Sequence, residues 1–334
     1  HVSSNRRCRE QLHLGCLSQI RCLPRLCCPS SVLYVPLRVS HTPRAGPVSL
    51  DLLCSLHSSS SFFIVFQDRV IRVRLSSHFG EGGWSLSLFL NSIGPEGTRA
   101  LSLALPRCTA LSQLHLAENF IRPEGARALS EALPLCTALS HLDLACNNVG
   151  AEGARALSKA LPRCAFLSHL DLSDNDIGDE GAQALSEVLP QLRVLSQLIL
   201  SENFIGDEGA CALSKVLPRC PALSHLDLSD SDIGAKGARA LSKALPHCAP
   251  LSRLNLSCND ICAEGTRALS EVLPRCPVLS QLILSDNYFG FEAARALSKV
   301  LPHCPALSHL DLSCSDIGAE GARALSEALP RCAF

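Results

Sequence analysis

The sequence predicts an α/β solenoid, a parallel sheet in which a helix returns the chain after every strand. Three observations predict it. From Gly83 onward the chain divides into nine blocks of 28 residues without an insertion, and self-similarity at such a period marks a stacked array. Inside each block two leucines alternate with polar residues, as Leu170 and Leu172 do with His169, Asp171 and Ser173; that is the period of a strand with one buried face. Later in the block apolar residues recur at helical spacing, as Ala182, Leu185 and Leu189 do.

Each element follows from the block consensus, L-S-x-L-x-L-S-x-N-x-I-G-x-E-G-A-R-A-L-S-x-A-L-P-x-C-x-x. The alternating leucines give a short strand. Glu180 sits in the expected first helical turn, where a negative charge suits the dipole, and Pro190 stops the helix. Pro95 and Pro123 take the early helical position that proline tolerates. The asparagine after the strand is expected to satisfy turn amides and carbonyls from inside. It occurs in seven of nine blocks, and Ser231 and Ser315, which replace it, mark rungs expected to be looser. One block cannot bury enough apolar surface to offset the ordering of its backbone, so blocks must stack. Strands lie about 4.8 Å apart and helices about 8–10 Å, so the stack is expected to curve with the sheet inside.

The motif LxxLxLxxNxI, as in Leu139, Leu142, Leu144, Asn147 and Val149, resembles the leucine-rich repeat family, and specifically its ribonuclease-inhibitor subtype. The resemblance covers residues 83–334 and implies a horseshoe, with a parallel sheet on the concave face and helices on the convex face. It also implies a protein-binding role. The phrase "IGAEGARALSEAL" is similar to repeats of NOD-like receptors and of Ran GTPase-activating proteins, so a ligand-sensing region and a GTPase regulator stand beside a plain interaction module.

Residues 1–82 do not fit the period and are expected to be a cap, a linker or disordered, with one strand-like run, RVIRVRL, at 69–75. They carry 10 Lys+Arg against 4 Asp+Glu, whereas residues 83–334 carry 20 against 27. A near-neutral total therefore hides a basic leader and an acidic body. The chain has no methionine, begins at His1 and ends in frame at Phe334 without a polar capping element; a fragment of a longer protein is the expectation. The longest uncharged run, Leu52 to Gln67, contains five serines and a histidine, so no membrane span is expected. Of 19 cysteines, eight share one column, from Cys108 to Cys332, with Leu192 filling the ninth slot. A position that accepts Cys or Leu wants a compact apolar body, and no CxxC occurs. Buried free thiols and a reducing compartment, the cytoplasm, are the reading.

Candidate chemistry concentrates on the strand positions facing away from the helices. His141 is expected beside His169, and Asp143 beside Asp171. Two imidazoles and two carboxylates can hold a metal in principle, yet nothing in the pattern supplies enclosing loops or orienting partners. A polar face copied by duplication is the reading taken. No GxxxxGK[ST] loop occurs, and no nucleophile is paired with a base. Neither catalysis nor a cofactor is expected. Charge is more informative. The four outward columns of strand and loop hold thirteen acids, among them Asp143, Asp171, Asp174, Asp227 and Asp230, against Arg253 as the one permanent base. The helix columns of Arg155, Lys159 and Arg163 hold sixteen Lys+Arg, with Arg–Glu pairs such as Arg127 with Glu131 expected along the helices. Such a face attracts basic proteins and repels nucleic acid. Apolar spots interrupt it: Ile199 with Phe204, and Ile283 with Tyr288. Phe120, Phe204 and Tyr288 share one column at intervals of 84 residues, which points to duplication of a three-block unit. His141, Asp143, His169, Asp171, Asp174, Ile199, Phe204, His225, Asp227, Asp230, Ile283 and Tyr288 are therefore the candidate partner-binding residues. The aromatics are expected either as hot spots or folded over the turn and partly buried.

Overall fold

A computed structural model describes residues 83–332 in full, and the backbone of three strands before them at 35–36, 60–66 and 69–77. The chain divides into two compact units, His1–Tyr34 and Val35–Phe334, and every described residue belongs to the second. Apart from those three strands, expectations for residues 1–82 lie outside the described residues.

Nine parallel strands, β4 to β12, carry the array: Trp84–Ser87, Leu111–His115, His141–Asp143, His169–Asp171, Gln197–Ile199, His225–Asp227, Arg253–Asn255, Gln281–Ile283 and His309–Asp311. They pair in sequence order in one open sheet. The register advances by one whole block per strand, so His141 meets His169 and Asp143 meets Asp171. The sheet does not begin at β4. Strands β2 (Ser60–Phe66) and β3 (Arg69–Ser77) form an antiparallel pair, and β3 runs antiparallel to β4. A two-residue β1, Val35–Pro36, lies parallel to β2. The run read as strand-like at 69–75 is thus a strand, and its hairpin covers an edge that would otherwise be exposed to other chains.

Nine helices alternate with these strands: α1 Gly94–Ala104, α2 Arg122–Ala132, α3 Gly150–Ala160, α4 Gly178–Ser186, α5 Gly206–Val216, α6 Ala235–Ala244, α7 Cys262–Val272, α8 Gly290–Val300 and α9 Gly318–Ala328. Each gives way to a single 3₁₀ turn containing the block's proline, such as Leu161–Arg163. That proline has no amide to continue the ladder. The alternating leucines and the helical leucines meet in one continuous core, with Leu142, Leu144, Leu157, Leu170, Leu172 and Leu185 all inside it. At the far end, Leu310, Leu312, Ile317 and Leu325 are only partly buried against that core.

The asparagine column is an inward ladder. Asn175 is fully buried. Its amide donates to the carbonyls of Leu144, Leu172 and Ser173 at 2.9–3.0 Å. Its Oδ1 accepts from the amides of Asn147 and Val149, each at 3.1 Å. One side chain therefore closes its own turn and ties it to the preceding rung. Ser231 has one hydroxyl proton to offer, with the Leu200 and Ser229 carbonyls both within reach of it.

Close packing at the helix entrances explains a second recurring residue of the block, a glycine in eight of nine repeats. A Cβ added at Gly181 would lie 2.3 Å from Ile177 Cγ2 and 3.1 Å from the Ala154 Cβ of the neighbouring helix. Two rungs have an extra tie there: Asp179 accepts from the Gly209 amide at 2.6 Å, and Asp207 accepts from those of Gly234 and Gly237 at 3.0 and 2.6 Å. Each carboxylate caps the next helix rather than its own.

The cysteine column is buried from Cys108 to Cys304, and all thirteen described cysteines are free. Burial pushes the Cys136, Cys164 and Cys220 thiols up to about 11, so almost none is thiolate at neutral pH, and the thiolate is the reactive form. A maleimide added to the native protein should modify the exposed Cys262 and Cys314 first. Mass mapping should show Cys136, Cys164 and Cys220 reacting only after denaturant; fast native labelling of these three would contradict their burial.

Candidate functional site

The site is the sheet face turned away from the helices, and it is built from two rows. Residues at the first strand position form one row: Gln113, His141, His169, Gln197, His225, Arg253, Gln281 and His309. The second comprises His115, Asp143, Asp171, Ile199, Asp227, Asn255, Ile283 and Asp311. Alternation along a strand sends the intervening leucines inward, so these side chains are left half exposed, and Arg253 and His309 exposed.

His141 and His169 stack with ring centroids 4.0 Å apart and planes 11° from parallel. The Ser168 hydroxyl donates to the Ser140 carbonyl at 3.1 Å and lies 2.8 Å from His169 Nδ1. The tautomer of the ring sets which of the two donates across that contact. Burial lowers His169 below its ordinary value. His225 is lowered too, by burial first and then by Arg253 and His169. Both rings are neutral at neutral pH.

The carboxylates are held by local bonds. Asp171 accepts from the Ser173 amide and hydroxyl at 2.9 and 2.7 Å. Asp227 does the same with Ser229 and also accepts from Asn255 Nδ2 at 2.9 Å. Asp143 accepts from the Ala145 amide at 3.1 Å and lies 3.4 Å from His115 Nδ1. His115, His141, Asp143, His169, Asp171 and Ile199 line a shallow depression of about 220 Å³. Among the described residues no three His, Cys, Asp or Glu side chains converge as a metal set.

Burial pushes the Asp171 carboxyl up; its Ser173 bonds pull it down, and Asp143 and Asp227 add repulsion, with a net rise. A raised folded value means the group favours folding only where it is protonated, and this contribution is lost as pH rises past the carboxylate range. Ionised Asp171 is therefore a stability cost at neutral pH. Asp171→Asn should raise the midpoint of thermal unfolding at pH 7, with the gain shrinking as pH falls through the raised Asp171 value and gone below the ordinary carboxylate range. An equal gain at every pH would assign the effect to shape instead.

The loop after each strand forms the rim. Asp174 and Asp230 lie there, Asp174 exposed and Asp230 partly so. The aromatic column is about half exposed: Phe120, Phe204 and Tyr288 are 53%, 44% and 52% exposed. All three adopt left-handed backbone, with φ of 54°, 53° and 48°. In the same column Asn148, Asp176, Asp232 and Asp316 have φ between 49° and 55°. Asn and Asp tolerate that conformation and bulky residues do so rarely, so an aromatic there is an outlier of the kind that accumulates at functional positions. Composition and spacing carry no trace of this conformation.

The helical surface differs from expectation in its pairing. Arg127 reaches Glu152 of the next helix at 3.8 Å, not Glu131, and Arg155 reaches Glu180 at 3.1 Å. Arg239 pairs with Glu264 and Arg267 with Glu292 in the same way. Adjacent helices bring these partners together across rungs, and each such exposed pair contributes about 0–1 kcal/mol.

Strand, turn and helix repeated in one sense define a protein of the stacked-repeat class, a solenoid that buries its core between neighbouring units. Six segments, residues 135–158, 163–186, 191–214, 219–242, 247–270 and 303–326, match the family model described as Leucine Rich repeat. Among solved structures, the chain is similar to leiomodin-1 actin-binding site 2, at 16% identity and a TM-score of 0.39, over 46% of this chain and 88% of that one. It is also similar to a tropomodulin C-terminal domain from Caenorhabditis elegans, at 15% identity and a TM-score of 0.39, over 45% and 92%. No curated protein sequence matches the chain. Among the described residues no helix is long and apolar enough to cross a membrane.

Proposed function

We propose that the array is a non-enzymatic protein-interaction module whose open sheet face takes a basic protein partner. The observation that carries this reading is the charge of the face and its rim, thirteen acids against Arg253. Two features support it. Burial holds the Asp171 carboxyl above its ordinary value, so its charge comes at a cost to stability, and aromatics occupy left-handed positions at the rim; neither helps the fold. A basic protein is attracted by such a field and a nucleic acid is repelled. The reading is common to the ribonuclease-inhibitor-like, receptor-like and GTPase-regulator-like contexts that the repeat phrase resembles. Free buried thiols fit a reducing compartment such as the cytoplasm.

Steering charges act mainly on association rate, and anchors on dissociation. With a partner isolated by affinity capture on the chain, replacing Asp143, Asp171, Asp227 and Asp230 with asparagine should slow association about ten-fold or more at low salt and flatten its salt dependence. Phe204→Ala should quicken release. If neither rate moves while substitutions at Arg155 or Arg239 change binding, the partner sits on the helices and the reading is wrong.

A further inference from the structure

The apolar spots on the open face have a spacing, and the spacing selects a partner conformation. Register places Ile199 beside Asp227, Asp227 beside Asn255, and Asn255 beside Ile283. The two isoleucines therefore stand three strand intervals apart, about 14–15 Å at ordinary sheet spacing. Each has an exposed aromatic on its own rung, Phe204 and Tyr288. Between the two apolar rungs lie Asp227, Asp230, Asp232 and Asp260, with Arg253 as the one base.

Three regular conformations can lay side chains along such a row. An extended strand rises about 3.3 Å per residue and returns to the same face every second one, so residues i and i+4 lie about 13 Å apart on one face. An α-helix returns to one face at seven or eleven residues, which is about 10.5 or 16.5 Å, and at the distance required its side chains point away. A polyproline II helix returns every three residues, at about 9.3 or 18.6 Å. The extended strand comes nearest, within about 1–2 Å of the row with both residues pointing at it, while the helical eleven-residue return overshoots by about 2 Å and has no residue on that face at its midpoint, over the acidic rungs. Residue i+2 of that strand faces the same way and falls between the Asp227 and Asn255 rungs.

We infer that the open face accommodates an extended basic peptide segment lying across strands β8 to β11, with apolar residues four apart seated on the Ile199/Phe204 and Ile283/Tyr288 rungs and an arginine or lysine midway over Asp227. The inference rests on the reading that this face takes a basic partner, and it adds the partner's conformation and pattern. Charge complementarity favours the cationic occupant, since four carboxylates against one guanidinium separate the apolar rungs.

The test uses three fluorescent peptides of equal length and charge on the full chain: leucines four apart with an arginine midway, leucines three apart, and leucines replaced by serine. The four-apart peptide should bind about ten-fold more tightly than either of the others. Ile199→Asp and Ile283→Asp should each abolish that ratio while strengthening the attraction of all three peptides. Both variants are expected to fold, because the same column already holds Asp171, Asp227 and Asp311, and circular dichroism checks this. Equal binding of all three peptides, lost on Asp227→Asn with Asp230→Asn, overturns the spacing while leaving the acidic-face reading in place. A bound four-apart peptide with a helical spectrum overturns the extended conformation. If no peptide binds, or binding ignores the aspartates, the inference and the reading beneath it both fall.

Discussion

Asn175→Ala is expected to destabilise the array by about 3–5 kcal/mol, because several buried groups lose their partners at once. The side chain makes five hydrogen bonds: three given to the Leu144, Leu172 and Ser173 carbonyls and two taken from the Asn147 and Val149 amides. A formed bond contributes about 1 kcal/mol net, but an orphaned buried group costs about 1–3 kcal/mol. Alanine leaves no polar atom to serve any of them. Water entering the small space it opens would recover part of the loss, which is why the figure falls short of five full penalties. The converse is available at Ser231. Its single hydroxyl proton is shared between the Leu200 and Ser229 carbonyls at 3.3 and 3.1 Å, where Asn259 on the next rung reaches three carbonyls and accepts from Ser231 and Ile233. Ser231→Asn should therefore gain about 1–2 kcal/mol. Urea unfolding of both variants checks the pair. A neutral Asn175→Ala, or a loss at Ser231→Asn, would mean the ladder does not hold the turns.

Gly181→Val should cost about 3 kcal/mol, from overpacking between two helices. Helix propensity alone argues the other way, since glycine in a helix interior is about 0.5–1 kcal/mol worse than alanine and most side chains improve on it. Sterics win here. An added Cβ meets Ile177 Cγ2 at 2.3 Å, a buried branched side chain with little rotamer freedom, and the Ala151 backbone Cα at 3.3 Å. Valine adds two further carbons against those atoms. The chain itself offers the control. In α8 the equivalent slot holds Ala293, and there the neighbour four residues earlier is Phe289 rather than isoleucine. Alanine is thus accommodated only where that neighbour changes shape. Denaturant titration of Gly181→Ala and Gly181→Val decides it; a gain in stability from either would show that the helices can move apart freely.

Much of this molecule was legible before any coordinates. The period of 28 fixes how far the register advances per strand, so the pairing of His141 with His169 and Asp143 with Asp171 follows from counting. Alternation of Leu170 and Leu172 with polar neighbours assigns one face to the core and the other to solvent, because strand side chains alternate by geometry alone. The cysteine column was readable for a similar reason: a slot shared by Cys and Leu192 asks for apolar volume, and the column is buried through Cys304. The acidic face, its apolar interruptions and the strand at 69–75 were likewise present in the letters.

What the letters did not contain depends on atoms from different rungs. Arg127 has Glu131 four residues away, yet it pairs with Glu152, since adjacent helices bring side chains 25 residues apart closer than their own helix does. Asp179 and Asp207 look like ordinary first-turn acids, and only the neighbour's position turns them into caps for Gly209 and Gly237. The left-handed backbone of Phe204 and Tyr288 is invisible in composition, because residue type biases φ only weakly while the turn, tied to the next rung, dictates it. Asp171 carries its charge at a cost first because stacking buries it, with Asp143 and Asp227 across the sheet adding repulsion. Local periodicity determined the repeat, its elements and its faces, each set by the geometry of a single segment. Tertiary structure decided the partners, the strain and the charge balance, because each of these is a distance between segments that only stacking defines.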